Sequence, residues 1–418
     1  MCADTSLVVT YDYGSLAPLR LAEAAAQNDC SIVFAVSGSR HAREMTPVLR
    51  MVGEVVETAA MTTVEAARAL ERFRPAGIVT FSEGQIAQTA RLAHLLELPY
   101  HSPEDVGAIT QKGLQRRRLG ERGVESLRFR EVSEVENVGA AVMHVGLPAV
   151  VKPASGASSR HTAPVSSEKE CAVAVAGILA DARERGETGR AIVEEMLVGR
   201  SVPHPWGDYL AVDCVATGND VQPVFVTSKF ALADPYRERG GYGQASSLPE
   251  RELSAARDLA CRAVRALGIR TGIADVEVKL TDEGPRVIEV NGRLGGWVDD
   301  LAVRSGVADP ADTAVRAALG RVARTPAAGN VGELVAFHYL VMPPVTAHRV
   351  REVRDGLFSV RELPGVEQVR ITTEPGATAD WRVGTDGGVA AVLGIADSHD
   401  ALAGLVERIE SVHWIDYD

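Results

Sequence analysis

Two neighbouring stretches of the chain carry side chains that could bind a metal ion. Residues 274–280 alternate charged with apolar side chains and include Glu277, and the stretch 286–291 contains Glu289 and Asn291. Turn-forming residues separate the two stretches, which is the pattern of a β-hairpin. Carboxylate and amide oxygens are hard ligands. A site with so small a number of carboxylates favours Mg²⁺, with Mn²⁺ as the alternative ion, and water and phosphate oxygens would occupy the remaining coordination positions of the ion.

The expected register of this hairpin brings two carboxylates into direct opposition. A five-residue loop centred on Glu283 gives three cross-strand pairs: Leu280 with Arg286, Glu277 with Glu289, and Asp275 with Asn291. Like charges directly opposite each other destabilise a sheet, and a cation bound by Glu277, Glu289 and Asn291 would remove that repulsion. The alternative is a solvated hairpin with Lys279 as counter-ion. The hairpin pattern alone does not choose between the two.

A glycine-rich turn follows the second strand. Arg293 has a planar guanidinium that could hold a carboxylate or a phosphoryl group. Gly295 and Gly296 would let the backbone approach a ligand closely. Trp297 ends the turn, either as the wall of a substrate pocket or as a core anchor.

This segment resembles the magnesium segment of the ATP-grasp superfamily, whose usual form is a glutamate on one strand and Glu-x-Asn-Pro-Arg on the next. Here Glu277 is followed by Glu289-Val-Asn-Gly-Arg293, and Gly292 stands where the family usually has proline. The resemblance implies that Glu277, Glu289 and Asn291 bind the metal. It also implies that Arg293 is the catalytic residue that holds the carboxylate or acyl phosphate.

Two lysines and a small-residue loop resemble the phosphate-binding parts of the same superfamily. Lys112 opens a helix, and Lys152 ends a buried strand that runs into the loop. The resemblance implies that both lysines and the loop bind ATP, although the loop taken alone could be a surface turn. Its candidate ligands are Ser155, Gly156, Ser158 and Ser159. The arginine row at 116–118 is interpreted as a solvated helix face.

The segment 190–199 resembles the adenine hinge of the superfamily, in which backbone groups bind the base and apolar side chains cover its ring. The residues in these places are Glu194, Glu195, Met196 and Leu197. The family commonly has an acidic residue two positions after the turn glycine to hold the ribose, but Ser201 stands there. Asp208 or Asp213 could take this role, or the segment 202–208 could serve substrate recognition.

The first hundred residues alternate short apolar strands with helices, which predicts a parallel, doubly wound sheet. Because function on such sheets lies at the carboxyl ends of strands, the candidates are Asp12, Ser37 and Glu83. Glu83 could contact substrate or interact with the dipole of the following helix. One helix is expected to end before Pro47. Only Gly14 follows the first strand, so no dinucleotide fingerprint is present.

The second half of the chain carries fewer chemical signals. Residues 233–247 are glycine-rich and charged, which predicts either a lid over the site or a surface loop. Lys229, directly before them, could face substrate or solvent. Residues 307–319 are predicted to be helical, and residues 333–418 to contain several strands and two short helices without a chemical constellation. His338, His348 and His413 are interpreted as structural.

Composition narrows the class of protein. The 418 residues are 46% hydrophobic and 24% charged, as in ordinary globular proteins, and the net charge of −12 argues against a nucleic-acid partner. The five cysteines never form a Cys-x-x-Cys spacing, which is typical of a reducing cytosol. No apolar run approaches membrane-spanning length. We therefore expect a cytoplasmic protein without a membrane partner.

The predicted fold class is α/β with α+β lobes, an ATP-grasp fold with an N-terminal Rossmann-like doubly wound domain. Four parts are expected: residues 1–105 as that domain, 106–190 as the small ATP-grasp lobe, 191–330 as the large lobe with the metal hairpin, and 331–418 as a C-terminal subdomain completing the large lobe.

The resemblance covers nearly the whole chain and implies an ADP-forming ligase that joins a small-molecule carboxylic acid to an amine through an acyl phosphate, using ATP and Mg²⁺. The sequence is most similar to bacterial L-amino-acid ligases of secondary metabolism, including antibiotic biosynthesis, and a homodimer is common in the family. Candidate substrate contacts are Trp297, Gly296, Glu83 and Lys229. The alternatives are another ATP-grasp ligase or carboxylase, or a noncatalytic nucleotide-binding regulator.

Overall fold

A computed structural model describes residues 5–243, 248–321, 334–354 and 356–418. Strands in these ranges form three sheets of four, four and eight strands and one two-stranded ribbon. This mixed architecture agrees with the predicted α/β class. The predicted domain boundary at 330/331 lies outside the ranges described. Within those ranges no helix is long and apolar enough to cross a membrane.

The first sheet is parallel, as the alternation of strands and helices predicted. Its strands and helices are β1 (Thr5–Tyr11), α1 (Pro18–Gln27), β2 (Cys30–Val36), α2 (Arg40–Val52), β3 (Glu54–Glu57), α3 (Thr63–Glu71), β4 (Pro75–Val79) and α4 (Ile86–Leu95). The strand order is β3-β2-β1-β4. The expectation that α2 ends before Pro47 is wrong, because Pro47 lies inside the helix. Proline removes one helical hydrogen bond, whereas continuing the helix buries Leu49 completely in the core.

The second sheet is antiparallel and belongs to the predicted small lobe. Its segments are α5 (Val106–Thr110), α6 (Lys112–Glu121), β5 (Phe129–Val132), α7 (Val138–Val145), β6 (Ala149–Pro153), β7 (Ala163–Val165), α8 (Glu168–Glu184) and β8 (Ala191–Glu195). The order is β5-β8-β6-β7, so β8 pairs with strands of the small lobe, although the predicted division assigned it to the large lobe.

The third sheet has eight strands in the order β13-β12-β9-β10-β11-β14-β17-β16. Its strands are β9 (Trp206–Thr217), β10 (Asp220–Phe230), β11 (Gly240–Gly243), β12 (Thr271–Thr281), β13 (Gly284–Asn291), β14 (Val335–Val341), β16 (Val366–Ile371) and β17 (Ala390–Ala396). The helices are α9 (Glu250–Ala266), α10 (Val298–Ser305), α11 (Pro310–Ala318), α12 (Gly356–Arg361) and α13 (His399–Ser411), and β15 (Val350–Val353) pairs with β18 (Ile415–Tyr417). The single helix expected across 307–319 begins at Pro310, and α10 precedes it.

Residues 240–243 are neither the lid nor the surface loop that the sequence predicted for 233–247. These four residues form β11, which is buried and pairs with both β10 and β14. Glycine is needed there because a Cβ on Gly241 would lie 2.5 Å from the Cγ2 of Thr227. The composition that indicated a loop therefore reflects close packing between strands. Residues 244–247 lie outside the ranges described.

The N-terminal sheet packs against the large sheet through one continuous apolar core. Val9 and Phe34 share this core with Ile273 of β12 and Val315 of α11. A Cβ on Gly77 would lie 2.2 Å from the carbonyl oxygen of Ala318, so β4 and α11 are in very close contact. This packing fixes the carboxyl ends of the N-terminal strands next to the hairpin of β12 and β13.

Candidate active site

A cavity of about 680 Å³ is lined by residues from all four predicted parts of the chain. Glu83 comes from the N-terminal sheet, Lys152 from the second sheet, Glu289 from the hairpin and Asp386 from the C-terminal part. Positively and negatively charged side chains that lie far apart in the sequence therefore line the same cavity.

The hairpin has the carboxylate pair that the sequence predicted, in a register that differs near the loop. Glu277 is opposite Glu289 and Asp275 is opposite Asn291. Leu280, however, pairs with Pro285 and not with Arg286, because the loop contains only two residues outside the strands and a β-bulge interrupts the ladder next to Glu277.

The bulge changes which side chains face the cavity. Val287 and Val290 lie three positions apart, yet both belong to the same buried core. Between them, Ile288 and Glu289 both line the cavity. A bulge accommodates one extra residue on its strand, so strict alternation of the two faces is broken here. Glu289 reaches the site with an apolar neighbour beside it.

The hairpin residues fit a divalent cation. Burial, then the charges of Asp275 and Glu289, raise the pKa of Glu277 to about 8, so the carboxylates repel each other as placed. Asp275 Oδ1 is buried without a hydrogen-bond partner, and the amide nitrogen of Asn291 donates to Asp275 Oδ2 at 3.1 Å. The Asn291 oxygen is therefore the atom that a cation would meet. In the part of the chain described, no three Asp, Glu, His or Cys side chains form a complete metal centre, so Asn291 and phosphate or water oxygens would complete the coordination.

Both predicted ATP lysines line the cavity and are ion-paired with site carboxylates. Lys112 Nζ lies 2.7 Å from Glu289 Oε1 and donates to the carbonyl oxygen of Gly156 at 2.7 Å. Lys152 Nζ lies 2.5 Å from Glu194 Oε1 and 3.5 Å from Glu289 Oε2. Burial alone would raise the pKa of Glu289, but the charges of the two lysines have the larger effect, so the pKa lies below its usual value. The carboxylates thus hold both ammonium groups at the edge of the cavity.

Arg116 is buried, so the interpretation of a solvated arginine row is wrong for this residue. Its Nε and Nη2 donate to the Glu194 carboxylate at 2.9 and 3.2 Å, and its Nη1 donates to the carbonyl of Val287 at 3.1 Å. Its Nη2 also donates to the carbonyl of Ile288. Arg116 lies one helical turn after Lys112, and residues four apart share a helix face. That spacing was the signal that could have identified it.

The small-residue loop lines the cavity with all four predicted residues. They are Ser155, Gly156, Ser158 and Ser159. Ser158 and Ser159 have φ values of 62° and 54°, a conformation that residues other than glycine seldom adopt. Successive residues of this kind can turn backbone amides towards an anion.

A narrower pocket of about 110 Å³ lies beside the cavity at the end of β8. Met196 and Leu197 line it together with Ile288 of the bulge, and the Tyr236 hydroxyl contacts the Met196 sulfur at 3.4 Å. Glu194 points to Arg116 and Lys152, and Glu195 pairs with Arg128 at 3.1 Å. The apolar part of the lining, which also includes Leu127, Val150 and Leu232, suits a flat aromatic ring, which is the shape of an adenine base.

Arg293 and Glu83 face each other in the cavity. Arg293 Nε lies 3.6 Å from Glu83 Oε2, and its Nη1 lies 3.6 Å from Asp275 Oδ2. Glu83 Oε2 is buried without a hydrogen-bond partner, and burial raises the pKa of this carboxyl despite the charge of Arg293. Glu83 lines the cavity and also begins the short helical turn Glu83–Gln85 directly before α4, so its position suits both of the roles considered.

Lys229, Gly296 and Trp297 also line the cavity. Lys229 is buried and ion-paired with Glu238; burial lowers its pKa, but Glu238 and Asp275 outweigh burial and raise the pKa to about 12. The centroid of the Trp297 ring lies 6.0 Å from Lys229 Nζ, and the ring also packs against an apolar cluster, so this residue faces the cavity and contacts the core. A Cβ on Gly296 would meet nothing within 4 Å, so this glycine leaves open space.

The two aspartates considered for the ribose have other partners. Asp208 Oδ1 accepts a hydrogen bond from Lys279 at 2.6 Å. Asp213 is fully buried and accepts from the backbone N–H of Gly295 at 2.8 Å, so it supports the glycine-rich turn. In the 202–208 segment, Trp206 packs against Phe230 with ring centroids 6.1 Å apart.

Of the three candidates at the first sheet, only Glu83 faces the cavity. Asp12 accepts hydrogen bonds from the hydroxyls of Ser37 and Ser39, both at 2.6 Å. These bonds fix the loops after β1 and β2, which is a structural role. The expectation of a functional role for Asp12 and Ser37 is therefore not supported by this geometry.

Some polar residues of the cavity carry no signal in the sequence. Glu238, Thr385 and Asp386 line the cavity, and the latter two come from the C-terminal part, where no chemical constellation was expected. Buried His338, interpreted as structural, packs against Trp297 with ring centroids 5.0 Å apart, and burial lowers its pKa to about 3. No local motif marks Thr385 or Asp386, because their position depends on contacts between distant segments.

Residues 145–300 match the family described as ATP-grasp domain. The chain is 25% identical over 362 residues, 84% of its length and 70% of the relative's, to an uncharacterised protein y4rH of Sinorhizobium fredii. It is 28% identical over 233 residues to carnosine synthase 1 of Homo sapiens, a match that spans 53% of this chain and 28% of that protein.

Solved structures agree in fold. The L-amino acid ligase of Bacillus licheniformis is similar with a TM-score of 0.78 and 20% identity, covering 100% of this chain and 99% of that one. A carboxyaminoimidazole ribonucleotide synthase of Aspergillus clavatus, complexed with ATP, gives a TM-score of 0.69 and 15% identity, covering 99% and 100% of the two chains. The resemblance is confirmed: residues 145–300 form an ATP-grasp domain, and the chain has the ATP-grasp fold.

Proposed function

We propose that this protein is an ADP-forming ATP-grasp ligase that joins an amino-acid-type carboxylic acid to an amine, in bacterial secondary metabolism. The observation that carries the proposal is the pairing of Arg293 with Glu83, 3.6 Å apart, in the cavity that also holds Lys112 and Lys152. A guanidinium and a carboxylate side by side match the carboxylate and the ammonium of a free amino acid. The similarity to an amino acid ligase and to carnosine synthase supports this substrate class.

The proposed reaction has two steps. An oxygen of the substrate carboxylate attacks the γ-phosphorus of ATP, which forms an acyl phosphate and releases ADP. The nitrogen of the amine then attacks the acyl carbon, the C–N bond forms, and the bond to phosphate breaks with loss of inorganic phosphate and a proton. The amide product is the sum of acid and amine less one water.

The side chains of this protein mainly position charge. Lys112, Lys152 and the loop from Ser155 to Ser159 bind the phosphates, and the base lies against Met196 and Leu197. Arg293 binds the carboxylate and later the developing negative charge on its oxygen. A magnesium ion on Glu277, Glu289 and Asn291 would supply charge neutralisation between the phosphates. Such transfers depend on positioning and electrostatics more than on covalent help from the protein.

The test is to incubate the protein with Mg-ATP and free amino acids, singly and in pairs, while measuring phosphate release and product mass. The expected result is ADP and phosphate only with particular pairs, and a product mass equal to their condensation. Glu289→Ala should abolish turnover because the carboxylate pair is lost, whereas the exposed Glu374→Ala should not.

Two other outcomes would contradict the proposal. Phosphate release that depends on bicarbonate and does not depend on an added amine substrate would indicate a carboxylase, a class of enzyme that also has this fold. Tight nucleotide binding without phosphate release for any acid, in the presence of amines, would indicate a regulator.

A further inference from the structure

The short helical segment Trp381–Gly387, far along the chain from the small lobe, contacts the small-residue loop and the two residues after it, together residues 155–161, which we call the phosphate loop. The backbone N–H of Thr385 donates to the carbonyl of Ser158 at 2.8 Å, and the N–H of His161 donates to the carbonyl of Arg382 at 2.9 Å. Two backbone bonds in opposite directions fasten the loop to the C-terminal part.

The contact requires glycine at position 384. A Cβ there would lie 2.0 Å from the carbonyl oxygen of Ser158 and 2.7 Å from the carbonyl carbon of Ser159. Gly384 also has a φ of 71°, where side chains are strained. On the other side of the contact, Ser158 and Ser159 have positive φ values as well. Such backbone persists only when its surroundings support it.

The same segment is connected to the opposite cavity wall. Thr385 Oγ1 accepts a hydrogen bond from the backbone N–H of Glu238 at 3.3 Å, and the Glu238 carboxylate is ion-paired with Lys229. Thr385 and Asp386 themselves line the cavity. The segment therefore joins the phosphate loop to the Lys229 side of the site.

We propose that the 381–387 segment positions the phosphate loop, holding Ser158 to His161 in the conformation that binds nucleotide phosphates. The proposal rests on the proposed function, because it assigns the segment to the ATP site. A loop ordered before its ligand arrives binds more tightly, since the ordering entropy has already been lost. Gly384 and Thr385 are then positioning residues for nucleotide binding, although they are distant in sequence from every ATP-grasp motif.

The test compares Gly384→Ala with Gly376→Ala. Gly376 has a φ of 90°, but a Cβ added there would meet no atom within 4 Å, so its substitution adds similar backbone strain without touching the loop. Two quantities are measured: the dissociation constant for Mg-ATP, and the rate of trypsin cleavage after Arg160, which lies in the loop. Gly384→Ala should raise both about tenfold. Gly376→Ala should change each by less than about twofold.

A second variant covers the case in which Gly384→Ala does not fold. Thr385→Val keeps the shape of the side chain and removes the acceptor for the Glu238 N–H. It should raise the cleavage rate about threefold. A folded Gly384→Ala or Thr385→Val protein with unchanged cleavage and unchanged nucleotide affinity would overturn the proposal. Wild-type protein without affinity for nucleotide would instead overturn the proposed function, while cleavage, which needs no ligand, still tests the contact.

Discussion

Arg116 is a buried guanidinium whose partners lie on two other segments. It binds the Glu194 carboxylate of β8 and the carbonyls of Val287 and Ile288 on β13. A buried ion pair adds little stability relative to apolar groups, but removing one partner leaves an uncompensated charge in the interior. One side chain thus joins α6, β8 and the hairpin.

Arg116→Ala should therefore lower the free energy of unfolding by about 3–5 kcal/mol. The matched control is Arg117→Ala, at an exposed position of the same helix, which should change it by less than about 0.5 kcal/mol. Urea unfolding of both variants gives the comparison. Similar midpoints for the two would show that the buried pair does not contribute as described.

Glu194 should make the protein sensitive to acid. Burial raises the pKa of this carboxyl, but Arg116 and Lys152 outweigh burial and lower it to about 2. Because the folded pKa lies below the ordinary value, the stabilisation is present above pH ~4.5 and is lost as the pH falls towards 2. The free-energy difference between wild type and Glu194→Gln should shrink by roughly 3 kcal/mol over that range. A difference that is constant with pH would contradict this.

Sequence motifs identified the residues whose chemistry is local. Lys112, Lys152 and the Glu277–Glu289 pair stand in motifs that are recognisable without a structure, and all line one cavity. Arg116 was not identified, because an arginine row looks the same whether one member is buried or not. Asp386 was not identified either, since no nearby residue marks the contact that brings it to the site.

The hairpin shows why the positions of strands were predicted better than the direction in which each side chain points. Alternation gave both strands and the Glu277–Glu289 pair. The bulge at Ile288 could not be recognised from the hydrophobic pattern, because an apolar residue next to Val287 is also typical of a strand that is buried on both faces. Likewise, the glycines of β11 predicted a loop, since glycine is common both in loops and where strands are in close contact.

Ile288 should contribute to nucleotide affinity and not to metal binding. The bulge directs it into the apolar pocket beside Met196 and Leu197. Ile288→Ala removes about 2 kcal/mol of apolar contact with a bound base, so the dissociation constant for ATP should rise about 30-fold. The concentration of Mg²⁺ that gives half-maximal activity at saturating ATP should not change. Calorimetry and a magnesium titration measure the two quantities, and a shift confined to the magnesium midpoint would contradict the placement.

The N-terminal sheet and the large sheet should unfold together. Their shared core contains Val9, Phe34, Ile273 and Val315, and Arg20 adds ion pairs to Asp299 at 2.8 Å and Asp309 at 2.9 Å. Residues of both sheets line the cavity, so loosening this contact would also separate Glu83 from Arg293.

Gly77→Val should split or lower the thermal transition, because its side chain would collide with the Ala318 carbonyl of α11. Overpacking of this kind typically costs about 1–3 kcal/mol. The control is Gly404→Ala in α13, where a Cβ meets nothing within 4 Å, and which should be neutral or slightly stabilising. Scanning calorimetry distinguishes them. A single transition at the wild-type temperature in Gly77→Val would mean that β4 and α11 can move apart without loss of stability.

The ion pairs of Lys112 with Glu289 and of Lys152 with Glu194 have a consequence for how charge enters the site. Both ammonium groups are already neutralised, so an incoming polyanion and its counter-cation replace partners inside the cavity. The two lysines exchange carboxylate oxygens for phosphate oxygens, and the released carboxylates become available to the cation. Nucleotide affinity should therefore depend only weakly on ionic strength, in contrast to a site that presents bare lysines to solvent.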